Sequence, residues 1–150
     1  MDGEHGLKMI RKNIDINKLL CKLWITDALY VIPANVTNNS VASSIIPKIY
    51  QRDFKRLYLS DQLFSLNEFL FLCSSVKDLT LKEVTVKNGD SNVIPLAKLV
   101  EKLPNVKRIN YIFTTPSNNT SKNTFKQLWK IPNLSNYNYF GLGMFLGSFV

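Results

Sequence analysis

The chain has 150 residues, 45% of them apolar and 20% charged, the length and composition of one soluble domain, which argues against a disordered tail or a membrane bundle. Nineteen Lys and Arg against eleven Asp and Glu leave a formal charge of +8, a balance that favours acidic partners, nucleic acid or anionic lipid where basic residues gather. They are spread along the chain here, which equally fits lysines that keep a surface solvated, and the single histidine, His5, excludes His-based triads and most zinc sites.

From the N-terminus, Met1 to His5 carries Asp2 and Glu4 and leads into no long apolar run, so no secretory signal is expected. Leu7, Ile10 and Ile14 stand at helical spacing and make residues 1–19 an N-terminal capping segment. Cys21 and Cys73 lie inside apolar segments and read as reduced, buried, structural thiols, in keeping with a cytoplasmic or nuclear location. Five N-glycosylation patterns, at Asn35, Asn38, Asn118, Asn119 and Asn133, read as by-products of Asn- and Ser-rich loops.

One pattern, apolar-x-x-apolar-x-apolar, recurs at Leu20 to Ile25, Phe54 to Leu59, Val76 to Leu81, Val106 to Tyr111 and Leu134 to Tyr139. Its starts are 34, 22, 30 and 28 residues apart, within or near the spacing of roughly 20–29 that leucine-rich repeats show. In each unit the last two apolar residues are two apart and share one face of a strand. The spacing therefore predicts five strands, near 20–25, 54–59, 76–81, 106–111 and 134–139.

A helix is expected after each of the first four strands. Ser40 or Asn39 can cap a first one bearing Val41, Ile45 and Ile49, which Pro47 should kink or shorten. Ser65 and Glu68 have the spacing of a capping box ahead of Leu66, Phe69, Leu70 and Cys73. Pro95 opens a third helix with Leu96, Leu99, Val100 and Leu103 on one face. Ser121 can cap a fourth, whose apolar face is Phe125, Leu128 and Trp129. Residues 140–150 read as an apolar tail, too short for the roughly 20 residues that span a bilayer.

Helices that end in Leu103-Pro104-Asn105, followed by a Val-Lys-x-Leu type strand, resemble the leucine-rich-like regions of F-box-associated proteins, large families expanded in nematodes. The likeness covers Leu20 to Tyr139. It implies an α/β fold, a short irregular leucine-rich-repeat-like solenoid with parallel strands on the concave side and helices on the convex side. It also implies substrate recognition for a ubiquitin ligase, or plain scaffolding. Two departures stand out. The first 19 residues are too few for an F-box, and the Asn of the regular repeat is replaced by Gln62, Val84 and Thr114, so no buried Asn ladder is expected. The abrupt apolar ending reads as a truncated or alternatively ended copy of a longer protein.

Strand alternation turns Lys22, Trp24, Arg56, Tyr58, Asp78, Thr80, Lys82, Arg108, Asn110, Asn136 and Asn138 away from the core, onto one face that is the expected partner-binding surface. Tyr111, Tyr137 and Tyr139 fall at core positions. No close pair of carboxylates occurs inside an ordered element, and Gly141, Gly143 and Gly147 do not fit a phosphate-binding loop, so no catalytic residue, metal or cofactor is expected. The leading expectation is a monomeric, non-enzymatic protein-binding module. The alternative is an electrostatic nucleic-acid-binding domain, weak and salt-sensitive, for which Lys55, Lys77 and Lys107 at the second repeat position argue.

Overall fold

The computed structural model describes residues 18–113, 124–132 and 134–144. The protein is a mixed α/β fold whose strands pair parallel. β2 (Ala28–Val31), β4 (Arg56–Ser60), β6 (Asp78–Lys82), β8 (Arg108–Phe113) and β9 (Tyr139–Met144) form an open five-stranded sheet in that order. Two small parallel sheets flank it: β1 (Leu23–Ile25) with β3 (Ile49–Arg52), and β5 (Leu63–Ser65) with β7 (Thr85–Lys87).

Pairing puts Leu29, Leu57, Leu79, Ile109 and Phe140 side by side, in steps of 28, 22, 30 and 31 residues. The expected equivalence of Leu57, Leu79 and Ile109 therefore holds, and each of the three is at most 2% exposed. The next inward row is Val31, Leu59, Leu81, Tyr111 and Leu142. Phe54, Val76 and Val106, the first apolar residue of each middle unit, are buried ahead of their strands.

The two outer strands fall elsewhere than the spacing predicted. The first is Ala28–Val31, six residues beyond the expected alignment, while Leu20 to Ile25 contributes β1 to a separate sheet and leaves Leu20 fully exposed. Leu29-Tyr30-Val31 repeats the side-chain chemistry of Leu57-Tyr58-Leu59, so it fills the inward and outward positions better than Leu23-Trp24-Ile25 does. The last is Tyr139–Met144, three residues late, with the expected apolar tail supplying the strand itself. Phe140 and Leu142 face the core there while Gly141 and Gly143 stand on the other side. Residues 145–150 and the expected N-terminal capping helix lie outside the described residues.

The helices cover the inward side of the sheet. α1 (Val41–Ile45) runs straight into a 3-10 turn at Ile46–Lys48, the shortening that Pro47 imposes. Neither Ser40 nor Asn39 caps it with a side chain. Instead the Ala42 N–H donates to the buried Gln62 Oε1 at 2.9 Å, and Gln62 Nε2 donates to the carbonyls of Ser60 and Asp61 at 3.1 and 3.0 Å. Gln62, at the site of the missing Asn, thus ties one unit to the next.

α2 (Leu66–Cys73) has the expected capping box: the Ser65 N–H donates to Glu68 Oε2 at 2.8 Å and the Glu68 N–H donates back to Ser65 Oγ at 3.4 Å. Burial pushes the Glu68 carboxyl up, but hydrogen bonds from Ser65 and Ser43 outweigh it and hold the group below its ordinary value. α3 (Leu96–Glu101) buries Leu96, Leu99 and Val100 as expected, with Leu103 beyond its end.

α4 (Thr124–Trp129) turns Thr124 and Leu128 inward, at i and i+4, with Ile131 buried just beyond its end, which leaves Trp129 79% exposed rather than in the core. Ser121 and the Phe125 side chain lie outside the described residues. Cys73 is buried as expected, and burial drives its thiol far above the usual range, whereas Cys21 is exposed because its segment precedes the core instead of entering it.

Candidate protein-binding face

Among the described residues no helix covers the outward side of the five-stranded sheet, and parallel pairing sorts its side chains into rows that cross the strands. One row is Ala28, Arg56, Asp78, Arg108 and Tyr139; the next is Tyr30, Tyr58, Thr80, Asn110 and Gly141; the third includes Ser60, Lys82, Ile112 and Gly143. Neighbouring members of a row are about 4.8 Å apart at the backbone.

The first row alternates in charge. Arg56 Nη2 donates to Asp27 Oδ2 at 2.6 Å, and Arg108 Nε lies 3.7 Å from Asp78 Oδ1. All four side chains are 41–66% exposed, so each pair contributes no more than about 0.2–1 kcal/mol. Their effect is to fix where charge is presented.

In the second row the rings of Tyr30 and Tyr58 stack, with centroids 6.0 Å apart and planes inclined by 26°. Beside them Tyr30, Arg56, Leu57, Tyr58, Asp78 and Thr80 line a depression of about 120 Å³. Small-molecule sites usually enclose roughly 300–1,000 Å³, so this hollow fits a single side chain better than a cofactor. At the far edge Tyr139 folds back over Gly141, where an added Cβ would stand 2.6 Å from the Tyr139 hydroxyl. Glycine leaves the space that ring occupies.

Of the residues singled out from the sequence, Arg56, Tyr58, Asp78, Thr80, Lys82, Arg108 and Asn110 lie together on this face. Lys22 and Trp24 do not. They belong to the β1 region, where Lys22 Nζ donates to the Pro47 carbonyl at 2.9 Å and Trp24 Nε1 to Asp53 Oδ2 at 2.9 Å. Asn136 sits in a 3-10 turn, and Asn138 precedes β9, its N–H donating to the Lys107 carbonyl at 2.7 Å. Both were displaced by the three-residue shift of the last strand.

Two tyrosines were missed as surface residues. Tyr30 escapes the pattern because Thr26 stands where the first apolar residue ahead of Leu29 and Val31 belongs. Tyr139, expected in the core, is 51% exposed, whereas Tyr137, half-buried, donates its hydroxyl to the Val100 carbonyl at 3.0 Å.

Among the described residues no group of three His, Cys, Asp or Glu side chains is placed to hold a metal ion, and no helix is long and apolar enough to cross a membrane. Comparison of the chain with protein-family models, with curated proteins and with solved structures found no match.

Proposed function

We propose that this chain is a non-enzymatic protein-binding module that captures its partner on the open face of the five-stranded sheet, in the cytoplasm or nucleus. The observation that carries the reading is the stacked pair Tyr30 and Tyr58 set beside the alternating row Arg56, Asp78 and Arg108. Tyr and Arg are enriched at interface hot spots, and two-sign charge next to an aromatic pair suits a protein surface better than a uniform phosphate chain.

We further propose the architecture of an irregular leucine-rich-repeat-like solenoid, strands concave and helices convex. Three features support it: the register of Leu29, Leu57, Leu79 and Ile109; the corner residues Asp61 and Glu83, equivalent and both at positive φ (53° and 51°); and the bridging by Gln62. The resemblance to F-box-associated regions adds the role of substrate recognition for a ubiquitin ligase.

The test is affinity capture from the source cell with Arg56, Tyr58 and Arg108 replaced together by Ala. Loss of the partner is expected, with the fold retained, since none of the three is in the buried core and their exposed ion pairs contribute about 0–1 kcal/mol each; circular dichroism of the variant checks the fold. Lys98→Ala with Lys102→Ala, on exposed positions of the helix side, should leave capture intact. Capture that survives the first variant and fails in the second moves the binding surface to the helices.

A further inference from the structure

At the end of the sheet where the strands begin, the backbone forms a second ladder. The Lys55 N–H donates to the Asp27 carbonyl at 2.9 Å, Lys77 to Lys55 at 2.8 Å, Lys107 to Lys77 at 2.8 Å and Asn138 to Lys107 at 2.7 Å. These bonds fix three lysines one strand apart, so their side chains are rooted about 4.8 Å from each other across a span of about 10 Å. Lys55 and Lys77 are exposed and Lys107 is half-buried.

None of the ion pairs Arg56–Asp27, Lys98–Glu101 and Arg108–Asp78 involves Lys55, Lys77 or Lys107. Nearby carboxylates are engaged elsewhere: Asp27 by Arg56, Asp78 by Arg108, and Asp53 by Trp24 Nε1 and Gln51 Nε2, both at 2.9 Å. Three lysine side chains are thus rooted side by side on a chain whose formal charge is +8.

We propose that this lysine row binds an acidic, carboxylate-bearing segment of the partner protein, continuing the interface on the adjoining face; the inference rests on the protein-binding reading of that face. The lysines stand one residue before Arg56, Asp78 and Arg108, at the edge where the three strands begin, so the row borders the face. An extended segment presents alternate side chains on one side about every 6.8 Å, twice the rise per residue, which flexible lysine tips rooted 4.8 Å apart can follow. A nucleic-acid strand fits less well, because it is charged at every phosphate along its length, whereas the lysine row is bordered by the Arg56–Asp27 and Arg108–Asp78 pairs, which offer no net charge. A peptide places its carboxylates on the lysines and uncharged side chains on the ion pairs.

The experiment uses the full chain and two fluorescent probes at equal ionic strength: a 12-residue peptide of alternating Glu and Ser, and a 12-nucleotide oligothymidylate. Fluorescence anisotropy should show the peptide binding more tightly. The variant K55Q/K77Q/K107Q should lose at least tenfold in peptide affinity, K55R/K77R/K107R should retain it, and K87Q/K98Q/K126Q, which removes the same number of charges, should change it less than twofold. Equal losses in the two Gln variants, or tighter binding of the oligonucleotide lost with the same lysines, overturns the proposal. Capture of the native partner separates the two readings. If K55Q/K77Q/K107Q retains the partner while the Arg56, Tyr58 and Arg108 variant loses it, the face stands and the lysine inference fails. If the face variant retains the partner, the reading of the face fails first.

Discussion

The side-chain carbonyl of Gln62 accepts the backbone N–H of Ala42 at 2.9 Å across 20 residues of sequence, although Gln62 is only 2% exposed. Its amide nitrogen spends its protons on the carbonyls of Ser60 and Asp61, so a buried polar side chain is satisfied at both ends. Leu63 adds to the same seam by donating its N–H to the Asn39 carbonyl at 2.8 Å. Gln62→Leu would keep the volume and strand the Ala42 donor at the start of a helix with no side-chain cap of its own. A loss of about 1–3 kcal/mol is expected, read as a lower denaturant midpoint. An unchanged midpoint would show that water takes over the bond.

Leu79 stands between Leu57 and Ile109 in the middle of the inward row, with a sheet neighbour on either side. Truncation to Ala should cost about 2–5 kcal/mol, a large part of a typical total stability of about 5–15 kcal/mol. Chemical denaturation of the variant measures it directly, and a midpoint equal to the wild type would remove Leu79 from the core.

The capping box of α2 makes stability depend on acid. Because the folded-state value of Glu68 is depressed, its contribution is present above the unfolded value, about 4.3, and is lost as pH falls through the folded one. Wild type should therefore exceed Glu68→Gln in stability near neutral pH, and the gap should narrow as pH is lowered below about 4. Urea titrations of both proteins across that range check it; a gap that widened in acid would contradict the assigned direction.

The two thiols should separate cleanly. Cys21 is exposed, whereas Cys73 is buried on α2 with its thiol held protonated by desolvation. A thiol reagent added to the native protein should modify Cys21 promptly and Cys73 only after unfolding. Mass spectrometry of the modified peptides distinguishes them, and rapid modification of Cys73 in the native state would show that α2 opens readily.

The middle of the sheet was legible because three signals agree there: a buried apolar residue ahead of the strand, two alternating inward residues, and a helix with its own start signal. Phe54, Leu57 and Leu59 with the Ser65 and Glu68 box show all three. At the ends the signals conflict. Leu20 to Ile25 matches the apolar pattern but forms β1 of another sheet, and Leu134 to Tyr139 competes with the equally apolar Tyr137 to Leu142 three residues later. Periodicity alone cannot choose between overlapping registers of one pattern, because each satisfies the same alternation; pairing with a neighbouring strand chooses. The outward face inherited those errors, which is why its centre was read correctly while Lys22, Trp24 and Asn138 were not.

The order of the strands in the sheet is also their order along the chain, and this bears on how the molecule opens. β4, β6 and β8 are each clasped by two partners, whereas β2 and β9 have one. Thermal fluctuation should therefore peel the sheet from its outer strands, with the cost of exposing backbone amides rising toward β6. In native-state hydrogen exchange the Leu79 and Leu81 amides should be the slowest in the sheet, and those of β2 and β9 should trade deuterium first. A ligand spanning the rows would slow exchange along the whole sheet, so the same measurement that maps the fraying would register the partner's arrival.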